Sequence, residues 1–337
     1  MDSDDAGARG VVQVEGLLRR VGADPGAPRL VAVMGPGGSG KSLALSSLRA
    51  LYSRSGRGAG DLERPASNRA GRQGPLIVDD VHVLDDVLVR RIVDEAGRPG
   101  AQVAVAFRPW PVERGLGELR ELIGERGVTV SLDPLDRGQV ATRACHRLGY
   151  ALDDSSIDAL VAATGGVLGL VDAVLDGADG IGPQPWDRPG VLAAWDPVRR
   201  LAGVDQAGLP LLRDVVLAMS LGAPPDPGVL AVVLGRAPTV VVEALQRVRV
   251  SGLLRPDGSV IPVVREAVQA VTSPERGSSV LGQVIGALED RGDSPLEIAA
   301  RTAEVCMRHQ GLAAQRTRAA RGLVEDDPAR ATQLFVG

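Results

Sequence analysis

One short glycine-rich segment constrains the fold of this chain more than any other feature. It follows the apolar run Leu30–Met34, opens a helical pattern over Ser42–Leu51, and reads Gly35-Pro36-Gly37-Gly38-Ser39-Gly40-Lys41-Ser42. Glycines let backbone N–H groups approach an anion closely, and the N-terminus of the following helix favours negative charge. A strand, a glycine-rich loop and a helix in this order predict a P-loop that binds nucleotide phosphates.

The side chains of this loop predict further contacts with the nucleotide. Lys41 supplies a positive charge for the β- and γ-phosphates, and the hydroxyl of Ser42 is a ligand for Mg²⁺. A glycine-rich turn can match such a motif by chance, but the strand before it and the helix after it favour the functional interpretation. We therefore expect ATP or ADP with Mg²⁺, GTP being left open by the motif. The nucleotide-binding residues are Gly35, Pro36, Gly37, Gly38, Ser39, Gly40, Lys41, Ser42 and Leu43.

Two carboxylates, Asp79 and Asp80, follow the second apolar run, Leu76-Ile77-Val78. An acid that follows a parallel strand lies at the carboxyl edge of the sheet, which would place the pair beside the phosphate loop. Asp79 is predicted to hold Mg²⁺ through water, and Asp80 is predicted to be catalytic by polarising the attacking water. Alone, such a pair is more often a helix cap or a turn. The phosphate loop is what favours the catalytic interpretation.

Arg108 is a third candidate, because it follows the apolar run Val103–Phe107 directly. An arginine at the carboxyl edge of the sheet can reach a γ-phosphate and so distinguish ATP from ADP. The alternative is a solvated surface arginine before Pro109, and position alone does not separate the two interpretations.

Apolar runs and helical patterns alternate along the first part of the chain. The runs lie at residues 30–34, 75–80, 101–107 and 128–132. This alternation predicts a parallel sheet with helices on both faces, the α/β fold of P-loop NTPases. We place this domain at residues 1–134, with the polar segment 53–74 as a surface loop or disordered segment.

The chain after Pro134 is predicted to be mostly helical. We expect a helical lid and linker over 135–190, and a winged-helix-like domain over 191–275 whose hairpin is indicated by Asp257-Gly258. The helix predicted at 239–251 in that domain carries mostly Val and Leu, which favours packing inside the protein over DNA binding. Residues 276–337 are expected to be helical, with breaks near Gly292, Gly311 and Asp327, as the start of a helical-repeat region.

Composition and charge argue against several classes of protein. The net charge of −4 argues against electrostatic binding of the chain as a whole to DNA or an acidic membrane. Aromatic residues make up 2%, too few for a stacking platform for single-stranded nucleic acid. The two cysteines, Cys145 and Cys306, support neither a disulfide framework nor a zinc site. Without a membrane-spanning run or a signal-sequence pattern, we expect a soluble cytoplasmic protein with no membrane partner.

Taken together, the motifs resemble the signal-transducing STAND ATPases, in the branch of large LuxR-type regulators similar to MalT. The likeness covers nearly the whole chain, and its early motifs are specific in combination whereas the later ones are weak singly. After the phosphate loop it rests on Asp79-Asp80-Val81-His82 with Leu84-Asp85, Ala106-Phe107-Arg108-Pro109, Leu132-Asp133-Pro134-Leu135, Thr164-Gly165-Gly166, and Val264-Arg265-Glu266-Ala267-Val268.

The resemblance implies a switch. In such proteins ADP holds a closed monomer, an inducer or signalling protein permits exchange for ATP, and the ATP form associates with itself. It also implies a helical-repeat sensor and a LuxR-type DNA-binding domain further along, so that DNA is a partner only through a domain beyond this chain. The chain is accordingly expected to be part of a longer protein.

Three departures from the family pattern concern the nucleotide. Leu168 stands where the family's glycine-rich adenine-contact motif ends in proline, and Ile261 stands where its winged helix offers a histidine to the phosphates. The spacing from Lys41 to Asp79 is short, which predicts that one peripheral strand is missing. These departures bear on retention of ADP more than on phosphate binding.

Three functions follow as hypotheses. The leading one is a nucleotide-dependent switch in a transcriptional regulator, with slow Mg²⁺-dependent ATP hydrolysis resetting it. The others are a stand-alone ATPase with rapid turnover, and a degenerate scaffold that binds nucleotide weakly and acts through protein contacts. The rate of turnover separates them.

Overall fold

The computed structural model describes residues 12–58, 74–109, 114–178 and 209–306. The chain divides into two units, Met1–Asp187 and Arg188–Gly337. The predicted four-domain division stays a prediction.

Four parallel strands form the sheet of the first unit. They are β1 (Arg29–Met34), β2 (Leu76–Val78), β3 (Gln102–Phe107) and β4 (Val128–Ser131), and their order in the sheet is β2-β3-β1-β4. Branched and small apolar residues make up most of the two inner strands, β1 and β3, and most of these residues are buried, as expected of strands covered on both faces. In the register, Met34 pairs with Phe107 while Val78 pairs with Val105, so β3 continues past the end of β2.

Helices cover both faces of this sheet. They are α1 (Val12–Ala23), α2 (Lys41–Arg54), α3 (Asp86–Gly97) and α4 (Arg114–Arg126). The helices α3 and α4 bury one face in a cluster that contains Leu30, Val105 and Ile92, and α1 and α2 pack on the other. The predicted parallel sheet with helices on both faces is therefore confirmed.

The strand order adds a detail of the site that the sequence did not predict. The second apolar run forms a strand only over Leu76–Val78, and β3 lies between it and β1. Asp79 is thus two strands away from the phosphate loop, and Arg108, at the end of β3, lies between them. Alternation of strands and helices predicts parallel pairing but carries no information about strand order, which depends on how each crossover returns to the sheet. The predicted loss of a peripheral strand concerns residues 59–73, outside the described residues.

Three further helices of the first unit correspond to the predicted lid: α5 (Arg137–Leu148), α6 (Asp154–Thr164) and α7 (Leu168–Ala178). Asp136 begins α5 with a capping box to Gln139, and Asp153 caps α6. A bidentate pair of Arg143 with Asp172, both N–O distances 2.7 Å, ties α5 to α7.

The second unit is helical among its described residues. Its helices are α8 (Leu209–Ser220), α9 (Pro227–Leu234), α10 (Pro238–Val250), α11 (Pro262–Ala270), α12 (Pro274–Arg291) and α13 (Pro295–Cys306). Leu254 and Val260 pair as an antiparallel bridge, with Gly258 at φ 83° in the turn, so the predicted hairpin is present between α10 and α11. Three helices followed by a hairpin is the order of a winged helix.

Two predictions about the second unit can be compared with its structure: the packing of the helix at 239–251 and the positions of the helix breaks. The α10 helix buries Val241, Leu245 and Val248, but Val240 and Val242 on its other side are exposed. The predicted break at Gly292 is present, since α12 ends at Arg291. Those at Gly311 and Asp327, and most of the 177–190 linker, lie outside the described residues.

No single helix in the described ranges is long and apolar enough to cross a membrane. The bent pair of α9 and α10 is long and apolar enough only when the two helices are taken together.

Candidate functional site

The phosphate loop connects the end of β1 to the start of α2 and is shaped by its glycines. Gly38 has φ 71° and Gly40 has φ 98°, both in the left-handed region that side chains disfavour. A Cβ on Gly40 would lie 2.7 Å from Leu168 Cδ2, and one on Gly35 would lie 2.5 Å from Ser39 Oγ. The positive φ angles favour glycine at Gly38 and Gly40, and a side chain at Gly35 or Gly40 would displace Ser39 or Leu168.

Lys41, the only lysine in the chain, lies at the first turn of α2 and is 6% exposed. Its ammonium donates hydrogen bonds to the carbonyl oxygens of Gly35 at 2.9 Å and Pro36 at 2.6 Å. Burial, and then the charge of Arg108, lower its pKa to about 8, while Asp80 and Asp79 oppose this. The charge predicted to meet the phosphates thus lies inside the loop, where a bound phosphate would replace the carbonyls as its acceptor.

The remaining predicted loop contacts differ in exposure. Ser42 is exposed, as a metal ligand that also meets a phosphate must be, and Leu43 is half-buried. The hydroxyl of Ser39 is buried and makes no hydrogen bond with any described residue. An unsatisfied buried hydroxyl inside a phosphate loop fits a site that is completed by a polar ligand.

Asp79 and Asp80 form a tight turn at the end of β2. The N–H of Asp80 donates to Asp79 Oδ1 at 2.8 Å, which fixes one carboxylate against the next residue. Asp80 has φ 47° and ψ 43°, and among the described residues it alone is a non-glycine with positive φ. This strained backbone supports a special role for the turn more than an ordinary cap, because strain persists where the surroundings enforce it.

His82 is a residue whose place in the site the sequence reasoning missed. It lies in the short 3-10 turn Val81–Val83, its side chain is 6% exposed, and its Nδ1 is 3.8 Å from Asp80 Oδ1. The same Nδ1 accepts a long hydrogen bond, 3.4 Å, from the N–H of Arg108. Burial, then the charges of Arg108 and Lys41, lower the pKa of His82 to about 4, so the ring is neutral near pH 7. The sequence could have indicated this role, because His82 follows Asp80 by only two residues.

Arg108 leaves the end of β3 between the phosphate loop and the aspartate turn. It is half-buried, and burial lowers the pKa of its guanidinium, whereas the charge of Asp80 opposes this change. The alternative of a freely solvated arginine therefore does not describe its surroundings. We refer to Asp79, Asp80, His82 and Arg108 together as the carboxylate edge.

The first turn of α7 also reaches the phosphate loop, which the sequence did not predict from the residues alone. Leu168, at the family's proline position, is buried and its Cδ2 lies over Gly40. The N–H of Gly169 donates to the carbonyl of Gly38 at 2.8 Å. Ile261, at the family's histidine position, is buried within the second unit and offers no polar side chain.

These residues fit ATP or ADP with Mg²⁺. The loop has the open backbone, the enclosed ammonium and the unsatisfied hydroxyl that polyphosphate binding requires. Ser42 and Asp79 supply the oxygen ligands that Mg²⁺ prefers, and this metal is commonly shared between one or two carboxylates and a substrate's phosphates. Within the described ranges no group of three or more His, Cys, Asp or Glu residues could hold a metal by itself.

Comparison with known proteins finds only distant structural similarities. No protein-family model matches it, and no curated protein matches it. Among solved structures it is similar to the RuvB Holliday junction branch migration motor of Thermotoga maritima, at 14% identity and a TM-score of 0.41, over 77% of this chain and 92% of that one.

Two other solved structures are similar at the same low level. The replication initiator DnaA bound to AMPPCP and single-stranded DNA has 15% identity and a TM-score of 0.42, over 83% of this chain and 91% of that chain. NtrX from Brucella abortus in complex with ADP has 11% identity and a TM-score of 0.33, over 70% and 67%. The resemblance to STAND regulators is not confirmed by these matches and stays a hypothesis. The first unit has the parallel sheet and phosphate loop of a P-loop NTPase fold.

Proposed function

We propose that the first unit binds ATP or ADP with Mg²⁺ and hydrolyses ATP slowly, so that the bound nucleotide acts as a switch. The observation that carries this proposal is the enclosure of Lys41 by the carbonyls of Gly35 and Pro36, inside a loop whose glycines exclude side chains. A buried ammonium needs anionic or polar partners, and phosphate oxygens are the partners that this loop geometry serves.

In this proposal each group of residues has its own role in binding or hydrolysis. The loop N–H groups and Lys41 hold the phosphates, while Ser42 and Asp79 are the side chains that would ligate the metal. When bound, Mg²⁺ would neutralise charge on the β- and γ-phosphate oxygens. Asp80 accepts a hydrogen bond from the attacking water and orients it, and Arg108 contacts the γ-phosphate. Neutral His82 supports the main chain at Arg108.

A switch is favoured over a rapid motor by the direct contact of α7 with the loop. Leu168 and Gly169 contact Gly40 and Gly38, so a change in the conformation of the loop alters the packing of the lid helices against it. Three finer hypotheses go with this proposal: the switch serves a LuxR-type transcriptional regulator, an inducer permits exchange of ADP for ATP, and the ATP form self-associates. A stand-alone ATPase and a weakly binding scaffold are the competing outcomes.

Calorimetric titration with ATP, a non-hydrolysable analogue and ADP, each with Mg²⁺, tests the proposal on the wild type and Lys41→Ala. A charge-assisted contact is worth about 1.5–3 kcal/mol, so Lys41→Ala should lose roughly one to two decades of affinity. Arg19→Ala, an exposed cation on α1, removes the same charge and should bind as the wild type does.

The turnover rate then separates the hypotheses. Slow hydrolysis supports the switch, rapid multiple turnover supports a dedicated ATPase, and no turnover supports a scaffold. The nucleotide released on denaturing the purified protein shows whether ADP is retained. Equal affinities of the wild type and a folded Lys41→Ala variant would refute the phosphate-loop assignment.

A further inference from the structure

The phosphate loop is held from outside by a main-chain hydrogen bond from the lid. The N–H of Gly169 belongs to the first turn of α7, where N–H groups have no acceptor within their own helix. Leu170 and Val171 both donate to the carbonyl of Val167, whereas Gly169 donates to the carbonyl of Gly38, at 2.8 Å. An otherwise unsatisfied donor of the lid is thus paired with an acceptor of the loop.

That hydrogen bond fixes the orientation of one peptide in the loop. The carbonyl of Gly38 and the N–H of Ser39 belong to the same planar peptide and point in opposite directions. With the carbonyl directed to α7, the Ser39 N–H is directed across the loop, toward the carbonyl of Pro36 at 3.4 Å. The ammonium of Lys41 donates to the same carbonyl at 2.6 Å, so the two donors converge on one point.

The Ser39 N–H is also free to change its acceptor. A distance of 3.4 Å is at the long end for an N–H···O bond, so little is lost when the N–H turns to a stronger acceptor. A phosphate oxygen beside Lys41 is such an acceptor, because hydrogen bonds to charged groups are shorter and stronger than those to neutral carbonyls.

Glycine at position 169 lets the two backbones approach this closely. A Cβ there would lie 3.2 Å from the Cα of Gly38 and 3.4 Å from its carbonyl oxygen, so any side chain would push the two backbones apart. The turn before α7 is held equally closely, because the N–H of Leu135 donates to the carbonyl of Gly166 at 2.8 Å. A Cβ on Gly166 would lie 2.3 Å from the carbonyl oxygen of Leu135.

We propose that Gly169 is a positioning residue for the phosphate loop: its N–H holds the carbonyl of Gly38 and thereby directs the Ser39 N–H toward the bound phosphate. The inference rests on the proposed nucleotide binding and adds a route by which the lid controls it. Because coupling between two sites is reciprocal, displacing α7 weakens phosphate binding, and binding phosphate strengthens the docking of α7. This route needs no contact with the base.

Two substitutions at one position test the proposal. Gly169→Pro removes the N–H at the second residue of the helix, where proline leaves the intrahelical bonds intact. Gly169→Ala keeps the N–H but adds the Cβ that approaches Gly38. Gly138 occupies the same position in α5, is exposed, and has no close neighbour for an added Cβ apart from Asp136 Oδ1 at 3.4 Å, so Gly138→Pro and Gly138→Ala are matched controls.

Affinities for ADP and a non-hydrolysable ATP analogue, with Mg²⁺, are measured for the four variants. Loss of one neutral hydrogen bond predicts a two- to tenfold weakening, roughly, in Gly169→Pro and a smaller one in Gly169→Ala. The two nucleotides should be affected equally, because the loop contacts phosphates that both possess. Thermal midpoints without nucleotide should lie no more than about 4 °C below those of the Gly138 variants, since one hydrogen bond is lost, and this bound separates positioning from a general loss of stability.

A separate measurement needs no nucleotide. Amide hydrogen exchange in the wild type should show the Gly169 N–H protected, unlike a solvent-exposed N–H in the first turn of α5. Unchanged affinity in Gly169→Pro relative to Gly138→Pro, or fast exchange at Gly169, would overturn this inference while leaving nucleotide binding in place. Absence of nucleotide binding by the wild type would overturn the proposed function itself, so the two failures are distinguishable.

Discussion

The phosphate loop and the carboxylate edge lie at the same edge of one sheet but are built in different ways. The loop is made of main chain, with glycines at Gly35, Gly38 and Gly40 and a single buried cation, Lys41. The carboxylate edge is made of side chains from two strands, and its one unusual main-chain feature is the strained conformation of Asp80. A main-chain site holds what every nucleotide shares, whereas side chains respond to the particular phosphate present.

This comparison divides the expected effects of substitution. Changes in the loop should lower the affinity for all nucleotides, and changes in the carboxylate edge should alter turnover, metal dependence or the preference for ATP. The two regions are nevertheless coupled through charge, because Arg108, Asp80 and Asp79 all act on the pKa of Lys41. The following experiments test how far the division holds.

The largest effect is expected from the aspartates. Asp80→Asn should leave nucleotide affinity unchanged and reduce turnover by about 10²–10⁴-fold, because a group that orients the attacking water acts only in the transition state. Asp79→Asn should weaken the Mg²⁺ dependence of binding, measured by titrating ATP with and without the metal. Equal effects of the two substitutions on both measurements would show that the assigned roles are wrong.

The second prediction concerns the stability of the carboxylate edge at low pH. Burial, and then Arg108 and Lys41, lower the pKa of His82 from 6.5 to about 4, with Asp79 opposing. Between those values the unfolded chain binds a proton that the folded protein does not. The free energy of unfolding should therefore fall as the pH drops from 6.5 to 4, by up to about 3 kcal/mol.

Denaturant unfolding from pH 7 to 4 would measure this slope. In His82→Asn the contribution is removed, while the titration of the carboxylates remains common to both proteins, so the difference between the two profiles isolates His82. His146→Asn, on an exposed part of α5, is the control for removing a histidine. Parallel profiles for the wild type and His82→Asn would contradict the burial of a neutral ring.

The two regions also differ in how much of them the sequence predicts. The loop could be predicted in detail because its backbone conformation favours glycine at particular positions. The glycines in the sequence therefore indicate that conformation directly. For the carboxylate edge the sequence predicted the residues but not their arrangement. Glycine is the strongest sign of a left-handed turn; aspartate is enriched there among the other residues, but it is found far more often in ordinary conformations, so Asp80 alone did not predict the turn.

The remaining gaps come from long-range structure. The order of the strands, which puts β3 and Arg108 between the loop and the aspartates, depends on crossovers that alternation does not specify. The burial of His82 follows from that order, because its ring contacts the start of the segment after β3. The contact of Gly169 with Gly38 depends on the packing of α7, which is more than a hundred residues away in the chain.

The third prediction concerns nucleotide preference. If Arg108 contacts the γ-phosphate, Arg108→Ala should lower affinity for a non-hydrolysable ATP analogue and leave ADP affinity nearly unchanged, a gap of about 1.5–3 kcal/mol. It should also suppress any ATP-dependent self-association seen by light scattering. Arg90→Ala, an exposed arginine on α3, is the charge-matched control. A parallel fall in both affinities would mean that Arg108 supports the fold or the shared phosphates.

The smallest effect is expected from the backbone of Asp80. At φ 47° and ψ 43° a Cβ is disfavoured by about 1–2 kcal/mol, and glycine is not. Asp80→Gly should therefore be more stable than Asp80→Ala by about 1 kcal/mol in denaturant unfolding, although glycine normally destabilises. The comparison uses two variants that both lack the carboxylate, so the charge and its neighbours cancel.

Asp86 supplies the opposite case, because it begins α3 with ordinary helical geometry. There, Asp86→Ala should be more stable than Asp86→Gly, by up to about 1 kcal/mol. A reversal of sign between positions 80 and 86 would show that the turn stores strain, which aims the Asp80 carboxylate beside His82. The same sign at both positions would mean that the turn is relaxed, and that the carboxylate edge is held by its side chains alone.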